Sequence, residues 1–427
     1  MSIHSHELKE TAVKVADADF AIDRREHTTA SAVRDYWAKV RAGELGSLPA
    51  VFGLVSLIVL FTALRPETFL SERNIANLFV QAMSVTILAL GLVFVLLLGE
   101  IDLSAGVTSG VCAAVMAKLM VEAGQPWYTA VLAALLTGLL IGTVIGLLVA
   151  VVRIPSFVVT LALFLGLQGI TLRLIGEGGT VPVRDEVIVA LANDNMPIWL
   201  GWTLAVGCSI LFAASQLLRR HRQRSRGLIA PPLGLVVGRI AVVTAALLGI
   251  TFLMGLDRAP SPTVVLNGVP WGVPLVALLV ITATFVLGRT VYGRHVYAVG
   301  GNAEAARRAG INVTAIRMSV FMIASTLAAV AGMVDASRLN SVTPDAGAGN
   351  VLLYAVGATV IGGTSLFGGK GRAIDAVLGG LVISVIANGL GLLGAQAYLN
   401  MLITGGVLLL AASVDALARR RRVAVGR

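Results

Sequence analysis

From residue 48 onward, apolar residues come in runs near or beyond the ~20 that an α-helix needs to cross a bilayer. Short polar stretches separate the runs. The pattern predicts spans at roughly 48–64, 75–98, 104–121, 128–152, 156–175, 197–218, 233–255, 271–288, 315–336, 351–366, 374–394 and 397–415. Of these, 104–121 and 351–366 are short enough to be broken or re-entrant, so the expectation is 10–12 crossings. Residues 1–47 are polar and hold no apolar core like that of a signal peptide; they read as a cytoplasmic extension with one amphipathic helix around Ala30–Ala42. Residues 416–427 read as a basic cytoplasmic tail, leaving 48–415 as the membrane domain. The predicted fold class is all-α, a polytopic transmembrane helix bundle.

Composition strengthens this reading. Hydrophobic residues make up 57% of the 427 and charged residues only 13%, against about a quarter charged in soluble domains. The mean hydropathy is +0.88. Forty-seven glycines suit close helix–helix contact in lipid. The net charge of +10 would suggest a nucleic-acid partner in a soluble chain. In a membrane protein it reads instead as basic cytoplasmic loops, with the lipid bilayer as partner and no nucleic acid. Cys112 and Cys208 lie in apolar runs with no metal-ligand spacing.

The placement of charge orients the bundle. If the N-terminus is cytoplasmic and all twelve segments cross, inside stretches hold 25 of the 33 Lys and Arg and the outside holds seven. The positive-inside rule then puts both termini in the cytoplasm. The inside stretches include a basic loop over Arg219–Arg226.

The largest interior polar stretch runs from Gly288 to Arg317. Within it, Gly300 and Gly301 are expected to break the chain, and Asn302 is a favourable N-cap. Ala303–Ala309 then reads as a compact helix of about two turns. Glu304 falls in its first turn, Ala305 and Ala306 in its body, Arg307 and Arg308 in its last, and Gly310 at C′. One reading is a solvated connector; the other is a rigid displayed helix that docks a soluble partner.

A second motif, Leu98-Gly99-Glu100-Ile101-Asp102-Leu103-Ser104-Ala105-Gly106, ends an apolar run with two carboxylates and a hydroxyl. Such groups at membrane depth mark a pathway or a partner, and Asp102 or Ser104 equally suits an N-cap of the next helix. A third string, Gly362–Arg372, shares the form Gly-x-x-(Asp or Ser)-Leu-x-x-Gly with the second, a possible trace of an internal repeat. It imitates a phosphate-binding loop but lacks the Gly five residues before its Gly-Lys pair and the Ser/Thr after it. No Walker-type run exists, so the chain itself is not expected to hydrolyse ATP or bind a cofactor.

Further polar residues read as lying in spans are Gln81, Ser84, Thr86, Gln168, Asn388, Gln396 and Asn400. Most suit helix–helix hydrogen bonds, and a minority would line a hydrophilic path. The five histidines all lie in polar stretches, so catalytic and metal residues are expected to be absent.

The three motifs, in this order and spacing, resemble the permease subunits of bacterial ABC sugar importers, in the ribose/xylose/arabinose branch. The likeness runs from about Asn74 to Asp415 around a variable insert near 184–270. Glu100 and the run Ile154–Leu161 bring it nearest the xylose permeases. The resemblance implies a monosaccharide importer of the bacterial inner membrane, with a pentose such as xylose as substrate. It implies a second permease copy as homodimer partner, a periplasmic sugar-binding protein, and a cytoplasmic ATP-binding cassette subunit that uses the ATP. By the same resemblance the coupling loop is 289–315, and Gly300, Gly301, Asn302, Glu304, Ala305, Ala306, Arg307, Arg308 and Gly310 meet that ATPase. Glu100, Asp102, Ser104, Gln168, Tyr354 and Asn388 are pathway or gating candidates. One departure stands out: Leu352 and Tyr354 occupy positions where the family commonly has acidic residues. The alternatives are a permease for ribose, galactose, a polyol or an amino acid, or an ion-coupled carrier; a membrane hydrolase using Glu100 and Asp102 is the remotest.

Overall fold

The computed structural model describes Arg34 and residues 46–227, 230–259 and 265–424. The expected helix around Ala30–Ala42 lies, apart from Arg34, outside the described residues. Contact clustering separates two units. One comprises the described part of 202–251 with Arg34; the other comprises 46–201 and 252–424.

In the larger unit the apolar runs fold as helices for the reason that organises every membrane bundle: backbone groups in hydrocarbon must be satisfied within the segment. The helices are α1 (Leu48–Leu64), α2 (Pro66–Phe69), α3 (Glu72–Leu97), α4 (Ala105–Val121), α5 (Trp127–Gly146), α6 (Ser156–Ile175) and α7 (Glu186–Asn193). After α8 (Ile198–Ser225) and α9 (Leu233–Gly255) come α10 (Gly272–Arg289), α11 (Val291–Gly301), α12 (Ala303–Arg308) and α13 (Val313–Leu339). The chain closes with α14 (Val351–Gly362), α15 (Ala373–Leu392) and α16 (Ala397–Ala424). A five-residue π-turn, Leu147–Val151, finishes α5. Two short strands, β1 (Val181–Pro182) and β2 (Ser341–Val342), pair antiparallel.

Among the described residues, eight helices are long and apolar enough to cross a membrane, and four more apolar helical stretches are shorter: 48–64, 105–121, 351–362 and 397–410. These twelve coincide with the runs read from the sequence, and the two expected to be broken are α4 and α14. Before α4 the chain is non-helical over 98–104, and before α14 over 343–350. A Cβ on Gly110 of α4 would overlap the Ala346 carbonyl. The non-helical strand before α14 therefore lies against α4 with no side chain between.

Burial separates centre from periphery. The apolar window of α3 is 78% buried and that of α6 only 22%. Phe157, Val158, Leu161 and Leu165 of α6 point outward, as suits a lipid-facing helix. Helices α5 and α13 run antiparallel in close contact. Gly138, Gly142 and Gly146, spaced every four residues on one face of α5, lie against Ser325, Phe321–Met322 and Met318 of α13. This is the small-residue packing that drives association where no hydrophobic effect operates between helices.

Three boundary expectations change. Helix α8 continues through Ser225, so Arg219–Arg226 is mostly helix rather than loop; Arg and Gln are good helix formers that need no lipid to stay helical. Likewise α16 runs on through Ala424, so the basic tail from 416 continues a span rather than starting a separate segment. Gln396 lies in the turn between α15 and α16, not in a span. In the smaller unit, the Arg220 Nε donates to the Pro231 carbonyl at 3.1 Å.

Candidate functional site

All three sequence motifs meet at one point, the C-terminal carbonyl of α3. The last four carbonyls of a helix lack intrahelical partners, and Leu97 O is one of them. It accepts a 2.8 Å hydrogen bond from the Gly369 N–H of the third motif. Gly300 of α11 presses its Cα against the same carbonyl, and a Cβ there would overlap it. Tyr297, one turn earlier, donates its hydroxyl to the Gly371 carbonyl at 2.7 Å. Burial, with the Asp375 charge nearby, pushes the Tyr297 pKa up, which keeps it a donor.

This corrects the role expected of Gly300 and Gly301. Both lie within α11, which ends at Gly301. The break falls at Asn302, whose φ of −160° and ψ of 102° are extended. Close approach, not chain breaking, is what requires glycine at 300.

Beyond the break, α12 is capped at both ends. The Asn302 Oδ1 accepts from Ala305 N at 2.9 Å. At the far end Gly310, with φ +83°, donates to Arg307 O, while Ile311 N donates to Ala306 O, each at 3.0 Å. These two bonds form a Schellman motif. Ala306 is buried and anchors the helix. Glu304, Arg307 and Arg308 stay exposed and pair with one another at 2.9 and 3.3 Å. The chain then turns directly into α13, capped by Asn312 Oδ1 on Ala315 N at 3.0 Å.

The second motif is held from α6. Ser156 Oγ accepts from Ile101 N at 3.2 Å, and Thr160 Oγ1 donates to Ile101 O at 3.3 Å. Asp102 is buried, and its Oδ1 accepts from both the amide and the hydroxyl of Ser104, at 2.8 and 2.7 Å. Ser104 occupies the N-cap position of α4, but its side chain makes no capping bond there. Asp102, two residues before, takes the donors instead. Glu100 pairs with Arg317 of α13 at 3.2 Å. Beside that pair a cavity of about 300 Å³ is lined by Arg153, Ser156, Arg307 and Arg317.

The third motif closes on Asp375. Its Oδ2 accepts from Arg372 N at 2.8 Å and from the Thr364 hydroxyl at 3.2 Å. The Arg372 guanidinium lies 3.5 Å from Oδ1 and donates to Ser47 Oγ at 2.9 Å. Asp375 went unread from sequence because Arg-x-x-Asp lacks the usual Ser/Thr of a capping box.

The remaining pathway candidates are scattered. Asn388 of α15 forms a reciprocal amide pair with Asn74 of α3, both bonds 2.9 Å. Asn74 also donates to Phe69 O at 3.0 Å. The pair borders a cavity of about 580 Å³ at the opposite end of the bundle from α12, where Arg73, Asn77, Asn193 and Asn195 supply polar walls. Arg258 in that wall is buried and donates to Met254 O, Gly268 O and Asn195 Oδ1, which staples the loop after α9. Tyr354 packs against the main apolar core. Gln168 is half-buried on α6. Neither joins the three-motif cluster.

A second charged group, besides Asp375, went unread. Asp335 of α13 accepts at Oδ1 from Arg338 Nη2 at 2.9 Å, Arg338 Nε at 3.2 Å and Ser84 Oγ at 3.4 Å. Its signal was a single carboxylate within an apolar helical run, a rare placement in a span.

Twelve apolar helical stretches, two of them entered through non-helical chain, with one end interlocked around a displayed helix, define a polytopic membrane protein of transporter type. The family described as branched-chain amino acid transport system, permease component, matches residues 74–412, and the chain belongs to it. A xylose transport system permease protein of Escherichia coli is 36% identical over 372 residues, 87% of this chain and 92% of that protein. The ribose import permease protein of the same organism is 32% identical over 90% of this chain and 96% of its own length. A D-allose transport system permease protein of Escherichia coli is 30% identical over 86% and 90%. No solved structure matches the chain.

Proposed function

We propose that this chain is the inner-membrane permease subunit of an ATP-binding cassette importer that moves a monosaccharide, a pentose such as xylose. The relatives' names support the solute class. The observation that carries the mechanism is α12: a six-residue helix, capped at both ends and anchored by one alanine, with Arg307 and Arg308 displayed. A helix this short does not hold itself together in water. The caps therefore serve to present it preformed, and a preformed helix lowers the ordering cost of docking. Its partner in this reading is a cytoplasmic ATP-binding cassette subunit that hydrolyses the ATP. A periplasmic sugar-binding protein delivers the solute, and a second copy of the chain completes the pathway. In this reading the α12 end and both termini face the cytoplasm, which the excess of basic residues on that side supports.

Docking would act on the rest of the bundle through contact rather than chemistry. The α11–α12 elbow is locked to Leu97 O and to the Gly369 loop. A shift of α12 therefore drags the inner ends of α3 and α15 with it.

The test is reconstitution. The chain is purified with a cognate ATP-binding cassette subunit and placed in proteoliposomes with a cognate sugar-binding protein. ATP-dependent uptake of radiolabelled D-xylose, D-ribose or D-allose is expected, together with loss of ATPase association in Arg307→Glu/Arg308→Glu. Uptake driven by a proton or sodium gradient without nucleotide would overturn the reading.

A further inference from the structure

Asp335 and Arg338 lie deep in the bundle. Ser84, which donates to Asp335, is 12 residues from the start of α3 and 13 from its end. At 1.5 Å per residue these are about 18 and 20 Å, so Ser84 marks the middle of the crossing. The same level holds the non-helical segment before α14: Gly332, one turn before Asp335, packs on the Ser109 carbonyl of α4, and Gly110 of α4 packs on Ala346 in that segment. Discontinuous segments meeting at mid-membrane are where transporters form solute sites. A cavity of about 30 Å³, room for a water, is lined here by Ser109, Asp335, Ser341 and Thr343.

The pair is not sealed. The side chains of Asp335 and Arg338 keep 27% and 34% of their surface accessible. Charged groups at this depth do not face lipid; they face the bundle interior or water. On α3, Arg73, Asn77, Val80 and Ser84 recur at helical spacing, one stripe running from the outer cavity down to Asp335. The first three line that cavity.

The bonding also leaves capacity. Among the described residues, the three donors to Asp335 converge on Oδ1, and none is directed at Oδ2. Among the same residues, no acceptor is directed at Arg338 Nη1. A carboxylate acceptor and a guanidinium donor on paired side chains can each take a sugar hydroxyl, one hydroxyl donating to Asp335 and another accepting from Arg338.

Resting on the permease reading, we propose that Asp335 and Arg338, with Ser84, form a mid-membrane contact for the hydroxyls of the transported sugar. The experiment uses the complete transporter in proteoliposomes, with ATP inside and binding protein outside, and radiolabelled D-xylose, D-ribose and D-allose as probes. Asp335→Asn and Arg338→Gln should each lower uptake about tenfold or more while leaving association with the ATP-binding subunit intact. The double variant distinguishes a contact from a mere ion pair: a contact stays slow when both charges are gone, whereas a structural pair recovers. Separately, Asp335→Cys, in a background with Cys112 and Cys208 replaced, should react with a membrane-impermeant thiol reagent and react more slowly with sugar present. Wild-type rates in Asp335→Asn, recovery in the double variant, or an unreactive Cys at 335 each overturn the inference. Failure of wild-type uptake for all three sugars would instead strike the permease reading, and the thiol assay still decides whether position 335 faces water.

Discussion

Replacing Asn302 probes how much of the function depends on α12 being formed before anything binds it. The side chain supplies one acceptor, to Ala305 N at 2.9 Å, in extended backbone that Ala also adopts. Loss of such a cap costs about 1 kcal/mol with Ala and only a few tenths with Gly. The exposed Glu304–Arg307 and Glu304–Arg308 pairs add at most about 0.5 kcal/mol each. The cap is therefore the largest local contribution apart from burial of Ala306. About 1 kcal/mol corresponds to roughly a fivefold change in the folded fraction when the helix sits near balance. Apparent affinity for a partner that binds only the formed helix falls by the same factor. Titration of the ATP-binding subunit onto nanodisc-embedded protein should rank wild type and Asn302→Asp together, then Asn302→Gly within about twofold, then Asn302→Ala about fivefold weaker. Equal binding by all four, or Gly weaker than Ala, refutes the claim that the cap presents the helix.

Three stability predictions follow from the packing, each read by thermal unfolding in detergent. Asp102→Asn keeps the oxygen that accepts from Ser104 and should leave the melting temperature nearly unchanged. Asp102→Ala strands two donors, at about 1–3 kcal/mol each, and should lower it by several degrees; an unaffected Ala variant would remove Asp102 as the cap of α4. Gly142→Leu drives a side chain into Phe321 and Met322 and should cost at least about 1–3 kcal/mol. Leu140→Ala, on the outward face of the same helix, should cost far less, and comparable losses would mean the glycine face is not the contact. Asn388→Leu orphans the Asn74 amide oxygen; a double-mutant cycle with Asn74→Leu should give a coupling of about 0.6–1.7 kcal/mol, and zero coupling would mean the pair adds nothing.

The crossings were legible because hydrophobic length is a local property: a run such as 75–98 has no soluble alternative. Helix α12 was legible for a similar reason, since Asn302, Glu304 and Gly310 declare both ends within nine residues. Gly300 was misread because glycine signals both a break and a close approach, and only the position of Leu97 O, some 200 residues away in sequence, decides between them. Asp335 was unread because its meaning comes from Ser84, 251 positions distant, and from depth, which sequence order does not carry. Ser104 against Asp102 is the same problem on a small scale. Both suit a cap, and Ser104 turns its own amide and hydroxyl to Asp102 Oδ1 instead of capping with its side chain.

These placements make α13 the element that joins the two functional regions. It begins three residues after Gly310, at the foot of α12. Arg317 in its first turns pairs with Glu100, and Asp335 near its far end meets Ser84. Eighteen residues separate Arg317 from Asp335, about 27 Å of unbroken helix. The α5 glycine face grips the same stretch at Met318, Phe321–Met322 and Ser325, which leaves sliding or rotation as the available motion and opposes bending. A displacement of α12 thus reaches mid-membrane with little loss, because a helix transmits axial movement as a rod. Nothing comparable links α12 to Gln168 on α6, which sits among lipid-facing residues. If α12 docks the ATP-binding subunit and Asp335 meets the solute, as proposed, coupling and solute contact need no long chain of intermediates, because one helix links both places.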